Sequence, residues 1–445
     1  MSARQSPASS TPERAALAVL GGSSAFTPLL ATELARAAAE LPPLDVRLHG
    51  RSGERLAGVA RFCELVADSA GADHRYGWTL SAGEAAGGAQ VVLNQVRVGG
   101  WAGREHDERF PLARGVPGDE TVGPGGLASA LRAMPVVLEL AREVAAASPG
   151  AVFVNLSNPM GILLRGLGRI RGLRTLGLCE LPGDTLARAL ALLPDGGGEG
   201  PLEADYLGLN HQGFFTRVAR GGRELLPAVF DAVEALGGRG FFRVDAAVMR
   251  RLGALPLPYM RLYYHTEREA RALATRPRSR GAELAELSGR LHRHWRTAER
   301  PELPPAAAER SMPWIADAVV PALVALLGGP PRLLYVSEPC GGDVPGLPTG
   351  AVVEKRGLLD AAGFTALPFT GPAPEEGGPH EPIVAFLRRV AAFEEVAAEA
   401  ALERSLDRRA ELVLEALWMH PLELGSETAL ALAPGVLQAA GEPVA

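Results

Sequence analysis

The chain has 445 residues, with 45 Lys+Arg against 51 Asp+Glu, so its formal charge is 45 − 51 = −6. A mildly acidic chain excludes a general nucleic-acid binder, which needs a basic face. An apolar content of 47% excludes global disorder, and no apolar run reaches the ~18–20 residues of a membrane span.

The first stretch, MSARQSPASSTPER, is polar and has no long apolar region. It reads as a disordered tail over 1–13, not as a signal peptide. Cys63, Cys179 and Cys340 do not make a disulfide framework, so a reducing, cytoplasmic setting is expected. A single lysine, Lys355, stands against 44 arginines, which removes lysine-dependent chemistry from every other position.

Residues 16–20 (ALAVL) form a predicted strand that stops at Gly21-Gly22. Ser23-Ser24-Ala25-Phe26-Thr27-Pro28 then leads into a helical pattern to about residue 40. Further strands are predicted over 44–48, 91–98, 151–156 and 175–178, with helices between, notably over 128–147. Alternating strands and helices give a parallel sheet with right-handed crossovers. The glycine turn after the first strand points to a Rossmann-like, doubly wound unit over 14–195. Residues 194–201 read as a surface loop. Beyond it, an apolar segment over 207–215 and Ala/Leu/Arg helical patterns predict a C-terminal mixed α/β, largely helical domain over 196–435. Loops are expected at 301–305 and 370–379, long helices over 391–418, and a tail over 436–445.

Four segments carry chemistry. The turn Gly21-Gly22-Ser23-Ser24 is either a pyrophosphate cradle at a helix N-terminus or an ordinary structural turn. No acid follows the second strand, where Leu48-His49-Gly50-Arg51 stands. An acid there would hold a ribose 2′-hydroxyl, and Arg51 could instead meet a 2′-phosphate. The stretch 97–126, RVGGWAGREHDERFPLARGVPGDETVGPGG, is Gly-rich and charged. It is either an ordered, ion-paired surface loop or a pocket for an anionic substrate, which Arg97 and Arg104 would fork onto. Asn155-Leu156-Ser157-Asn158-Pro159 lies at a strand end, suited to hydroxyls or an amide, or to a turn. Cys179 and His211 each follow an apolar segment, as two ligands of a divalent metal or as two structural residues.

In this order, GGSSAFTP (21–28), NQVRVGG (94–100), REHDERFPLARGV (104–116), GDETVGPGG (118–126), NLSNPMGI (155–162), GLCELPGD (177–184), GLNH (208–211) and LPLPYMRLYY (255–264) resemble glycoside hydrolase family 4. RSMPWIADA (310–318) and ALWMHPLELGSETA (416–429) look most like its 6-phospho-β-glucosidase branch. The resemblance runs from about residue 15 to 435. It implies a lactate/malate dehydrogenase-like fold and a glycosidase dependent on NAD and a divalent metal, usually Mn²⁺. Members oxidise the sugar at C3, remove the C2 proton with a tyrosine, eliminate the aglycone from C1, add water and reverse the steps.

Carried over position by position, Tyr259 matches the base, and Cys179 and His211 match the metal ligands. Glu180 stands where some members have a leaving-group acid. Gly21, Gly22, Ser23, Ser24, Phe26, Arg51 and Asn155 fall in the cofactor site. Arg104, Glu120 and Asn158 fall in the substrate pocket, with Arg280 and Arg310 near the sugar phosphate. Ser23 replaces the third fingerprint glycine and the ribose-binding acid is absent, so NADP is a possible cofactor. The resemblance also implies a phosphorylated glycoside as partner and a homodimer or homotetramer, with no nucleic-acid or membrane partner. Two other readings stand beside it. One is an NAD(P)-dependent hydroxy-acid dehydrogenase, for which no His–Asp relay is seen. The other is a catalytically weakened sugar-phosphate-binding protein.

Overall fold

The computed structural model describes residues 14–237, 242–344, 346–371, 378, 380–439 and 441. The expected tail over 1–13 lies outside the described residues. Thirteen strands form one sheet: β1 (Ala15–Leu20), β2 (Leu44–His49), β3 (His74–Thr79), β4 (Val91–Asn94), β5 (Val152–Asn155), β6 (Arg174–Leu178), β7 (Leu202–Leu209), β8 (Gln212–Arg220), β9 (Arg223–Glu224), β10 (Leu255–Pro256), β11 (Arg332–Pro339), β12 (Val352–Leu359) and β13 (Phe364–Ala366).

The first six pair in parallel in the order β3-β2-β1-β4-β5-β6, the doubly wound arrangement. Strand β3 was not expected. Its sequence, HRYGWT, buries only alternate residues because it sits at the sheet edge, and that half-polar pattern hides it. The strand expected over 91–98 stops at Asn94, whose side-chain amide donates to Asn155 Oδ1 at 2.8 Å.

The sheet continues past β6. Strand β11 pairs antiparallel with β6, and β12, β7, β8 and β10 follow, all antiparallel. The expected parts 14–195 and 196–435 therefore share one sheet. Helices Thr27–Arg36, Gly53–Ser69, Arg280–Thr297 and Val320–Leu326 contribute to the apolar core on one face. Helices Gly123–Ala147, Met160–Leu167, Glu381–Leu402, Leu406–Met419 and Ser426–Ala439 fill the other. The end of the chain thus covers the sheet that its beginning builds.

Two expectations are corrected. The stretch 97–126 is not one long loop: it holds the helix Gly100–Arg109 and a 3₁₀ turn at Pro111–Arg114. Asp107, fully buried, pairs with Arg132 at 2.5 Å and pins the first helix to Gly123–Ala147. A Cβ on Gly125 would lie 2.2 Å from the Asp119 carbonyl oxygen, so the glycine cluster is there to let two backbones touch. The tail expected over 436–445 is helical to Ala439, with Val436 fully buried. Gly435, inside that helix, serves packing, since a Cβ there would strike the Phe110 ring at 2.5 Å. Among the described residues no helix is long and apolar enough to cross a membrane.

Candidate active site

The site forms where β7 and β8 turn. Leu209 pairs with Gln212, so Asn210 and His211 are the two turn residues, and His211 takes φ +66°. Strand β10 pairs with the other side of β8, and the Leu257 N–H donates to the Gly213 carbonyl at 2.9 Å. That register lays Tyr259 over the turn. Its ring centre is 4.3 Å from that of His211, with planes at 39°. Burial lowers the His211 imidazole to about 4 against the pull of Glu120, so the ring is neutral and fit to be a ligand. Burial raises the Tyr259 phenol well above its usual range, and the carboxylates of Asp119 and Glu120 add to this.

Cys179 follows β6, with Glu180 at the N-terminal end of helix Leu181–Ala191. Burial pushes the thiol well up, as do Glu180 and Glu354. The Asn210 side chain hydrogen-bonds the sulfur and also donates to Glu354 Oε1 at 3.1 Å. Tyr206 O–H donates to Glu354 Oε2 at 2.6 Å. This buried carboxyl, raised to about 7 by burial, ties the β7–β8 turn to β12 behind the cysteine. Burial likewise raises Glu180, which favours its protonated, donating form.

A second cluster comes from helix Gly100–Arg109 and the segment after it. Arg104 reaches Glu120 Oε1 at 2.6 Å and Glu108 Oε1 at 2.6 Å, and Arg97 lies 3.7 Å from Glu120. Burial works against the charge on Glu120, but Arg104 and Arg97 hold its carboxyl below the usual range. Next to it Asp119 is raised to about 7 by burial and by Glu120, while its Oδ1 accepts the N–H groups of Thr121 and Val122. Arg310 lies over Phe26 at 4.4 Å, Trp314 at 5.2 Å and Trp101 at 5.8 Å. Burial lowers its guanidinium to about 9, and Arg97, Arg104 and Arg280 lower it further. Three arginines that each depress the charge of a fourth, Arg310, make a site for an anion of more than one charge. Arg280 also pairs with Glu283 at 2.9 Å on the surface.

The glycine turn closes on the end of β2. Gly22 N–H donates to the His49 carbonyl at 2.7 Å, and a Cβ on Gly22 would lie 2.7 Å from Leu48 Cβ. Gly21 takes φ +81° against the backbone of Gln95. The Ser24 hydroxyl accepts the Phe26 N–H at 3.2 Å. The helix Thr27–Arg36 has no side-chain N-cap, which leaves its N-terminal end open to an anion. Two residues expected in the cofactor site have side chains committed to neighbours within the chain. Phe26 is buried, and its ring is the floor under Arg310. Asn155 is fully buried with its amide committed to Asn94 and Ser157, so it shapes the strand ends from beneath. Arg51 is exposed just past β2.

The residues fit a divalent cation and a dinucleotide. His211 Nδ1, Asn158 Oδ1 and Glu120 Oε2 are buried without a hydrogen-bond partner, as atoms awaiting a ligand are. Among the described residues no three His, Cys, Asp or Glu side chains gather into a cage. An ion at Cys179 and His211 would therefore keep positions open for a substrate. Sequence reasoning missed Asp119, Arg261, Asn210 and Glu354. Asp119 and Asn210 adjoin residues that were named. Glu354 carries no signal, since only strand pairing brings β12 beside β7. Its neighbour Lys355 is bound to Glu338 at 2.7 Å and Asp343 at 2.6 Å, outside the catalytic cluster.

Residues 16–191 match the model of the family 4 glycosyl hydrolases, and residues 206–423 match the model of that family's C-terminal domain. The chain belongs to glycoside hydrolase family 4. It is 28% identical over 419 residues to the 6-phospho-beta-glucosidase of Escherichia coli K12, covering 91% of this chain and 90% of the relative. The solved 6-phospho-beta-glucosidase of Thermotoga maritima with manganese, NAD⁺ and glucose-6-phosphate superposes with a TM-score of 0.80 at 25% identity. That match covers 95% of this chain and 98% of the other. A malate dehydrogenase from Plasmodium falciparum shares the fold at a TM-score of 0.52 and 11% identity, covering 87% and 100%. The family 4 glycosidase is thus built on a dehydrogenase-like frame.

Proposed function

We propose that this family 4 glycosidase hydrolyses 6-phospho-β-glucosides through a transient oxidation at C3 of the sugar. The observation that carries the reading is the close, tilted ring contact of Tyr259 with His211 beside the buried Arg104–Glu120 pair. With Cys179, hydrogen-bonded to Asn210 of the same turn, these residues would supply a base, two metal donors and two sugar-hydroxyl partners. Cys179 and His211 would hold the divalent cation, with the turn at 21–24 against the cofactor's pyrophosphate. When bound, the cation would supply charge beside the phenol and Lewis acidity for a developing oxyanion, and the nicotinamide would supply hydride uptake and return.

The chain's own residues do the rest. Arg104 and Glu120 orient ring hydroxyls, and Asn158 Oδ1 accepts from another. Tyr259 takes the C2 proton. The phenol needs positive charge nearby to do so: Arg261, 5.5 Å from its ring centre, and Arg104 both lower it. Glu180, whose carboxyl burial raises, donates to the departing aglycone oxygen. Arg310, Arg97 and Arg280 hold the 6-phosphate.

The test is release of nitrophenolate from a nitrophenyl 6-phospho-β-glucoside by purified protein with Mn²⁺, a reductant and NAD⁺ or NADP⁺. Deuterium at C2 slows the reaction where deprotonation contributes to the rate limit. No release from any of a panel of α and β, phosphorylated and free glycosides refutes the assignment.

A further inference from the structure

We infer that the dinucleotide site selects a cofactor with a 2′-phosphate on its adenosine ribose, and that Arg51 is the clamp. The inference rests on the dinucleotide-dependent reading above and narrows it. In doubly wound sheets an acid after the second strand accepts the ribose 2′-hydroxyl, whereas an arginine nearby accommodates a 2′-phosphate.

Here the glycine turn and the end of β2 form one ledge. Gly22 N–H donates to the His49 carbonyl at 2.7 Å, and a Cβ on Gly50 would lie 2.7 Å from the Ser23 hydroxyl oxygen. A ribose joined to a pyrophosphate on the turn therefore meets residues 50–52. That ledge carries no carboxylate. Glu54, the next acid, reaches Arg296 at 2.5 Å on another helix. At the neighbouring strand end, Glu84 accepts from the Thr79 hydroxyl, and Glu143 accepts the Gly83 N–H.

Arg51 itself is exposed, and among the described residues nothing pairs with its guanidinium. Beside it the Ser52 hydroxyl oxygen caps helix Gly53–Ser69 by accepting the Arg55 N–H, which leaves its proton to donate outward. An uncommitted guanidinium, a free O–H donor and no carboxylate recognise a phosphate dianion. The same set offers a bare 2′-hydroxyl no acceptor of the usual kind.

The test is calorimetric titration of the full, metal-free chain with NADP⁺ and NAD⁺, and with 2′,5′-ADP and 5′-AMP. We expect NADP⁺ to bind about ten- to a hundredfold tighter than NAD⁺, the worth of a hydrogen bond to a charged group. Arg51→Ala should cut NADP⁺ affinity by that factor and move NAD⁺ affinity less than about twofold. Arg51→Glu, which restores an acceptor, should invert the preference. NAD⁺ binding as tightly as NADP⁺ in the unaltered chain, or an unchanged ratio in Arg51→Ala, overturns the clamp alone. No binding of either nucleotide at millimolar concentration overturns the dinucleotide reading and the clamp together.

Discussion

Glu394 offers a quantitative test of how this core holds charge. It sits in helix Glu381–Leu402 at 4% exposure, and its Oε2 has no hydrogen-bond partner. Arg165 Nε is 3.8 Å away. The carboxyl rests on the backbone of helix Met160–Leu167, where a Cβ on Gly161 would come within 2.1 Å of Oε1. Burial raises this carboxyl from 4.5 to about 7, with Arg165 opposing. The folded state therefore holds its proton more tightly than the unfolded state. Between pH 4.5 and 7 the folded protein binds more protons, so stability from this group falls as pH rises through that window. At about 1.4 kcal/mol per pH unit, the displacement amounts to about 3 kcal/mol above pH 7. Glu394→Gln keeps the shape and removes the charge. The variant should match the unaltered protein within about 1 kcal/mol at pH 5 and exceed it by up to about 3 kcal/mol at pH 8. Urea unfolding followed by circular dichroism at pH 5, 6, 7 and 8 measures the difference, in which all other titrations cancel. A variant that is weakened more at pH 8 than at pH 5 would show that the ionised Glu394–Arg165 pair is favourable, and the reasoning would fail.

Three further outcomes follow from the site. Tyr259→Phe should lower turnover about 10²- to 10⁴-fold and abolish C2 proton exchange with solvent, read by NMR in deuterium oxide, while nucleotide affinity is kept. Arg310→Ala should raise KM for a phosphorylated glycoside about tenfold or more and leave kcat nearly unchanged, the mark of a group that binds phosphate alike in ground and transition states. Gly22→Ala drives a Cβ to 2.7 Å from Leu48 Cβ, so thermal melts should report a loss of about 1–3 kcal/mol together with weaker nucleotide binding.

Much of the frame is legible from local pattern. The ALAVL run and its glycine turn announce the first βα unit, and the strand–helix alternation announces the doubly wound sheet, because both depend on residues near one another in the chain. Strand β3 escapes because an edge strand needs apolar residues on one face only. The helix Gly100–Arg109 escapes because its stability comes from Asp107 paired with Arg132, not from an apolar stripe.

The candidate site divides the same way. Cys179, Glu180, Arg104, Glu120 and His211 stand in motifs that sequence alone can name, since each sits in a distinctive short segment. That the Tyr259 ring lies against His211, that Asn210 links Cys179 to Glu354, and that Arg310 joins Arg97, Arg104 and Arg280 are decided only in three dimensions. The β10–β8 register, the antiparallel extension of the sheet and the return of helix Arg280–Thr297 to the first core bring those groups together. Sequence determined which chemical groups this protein owns and the order of five of its first six strands. Tertiary structure decided which groups meet and which charges they keep, because burial and neighbouring ions, not residue type, set the proton affinity of a carboxyl, a phenol or an imidazole.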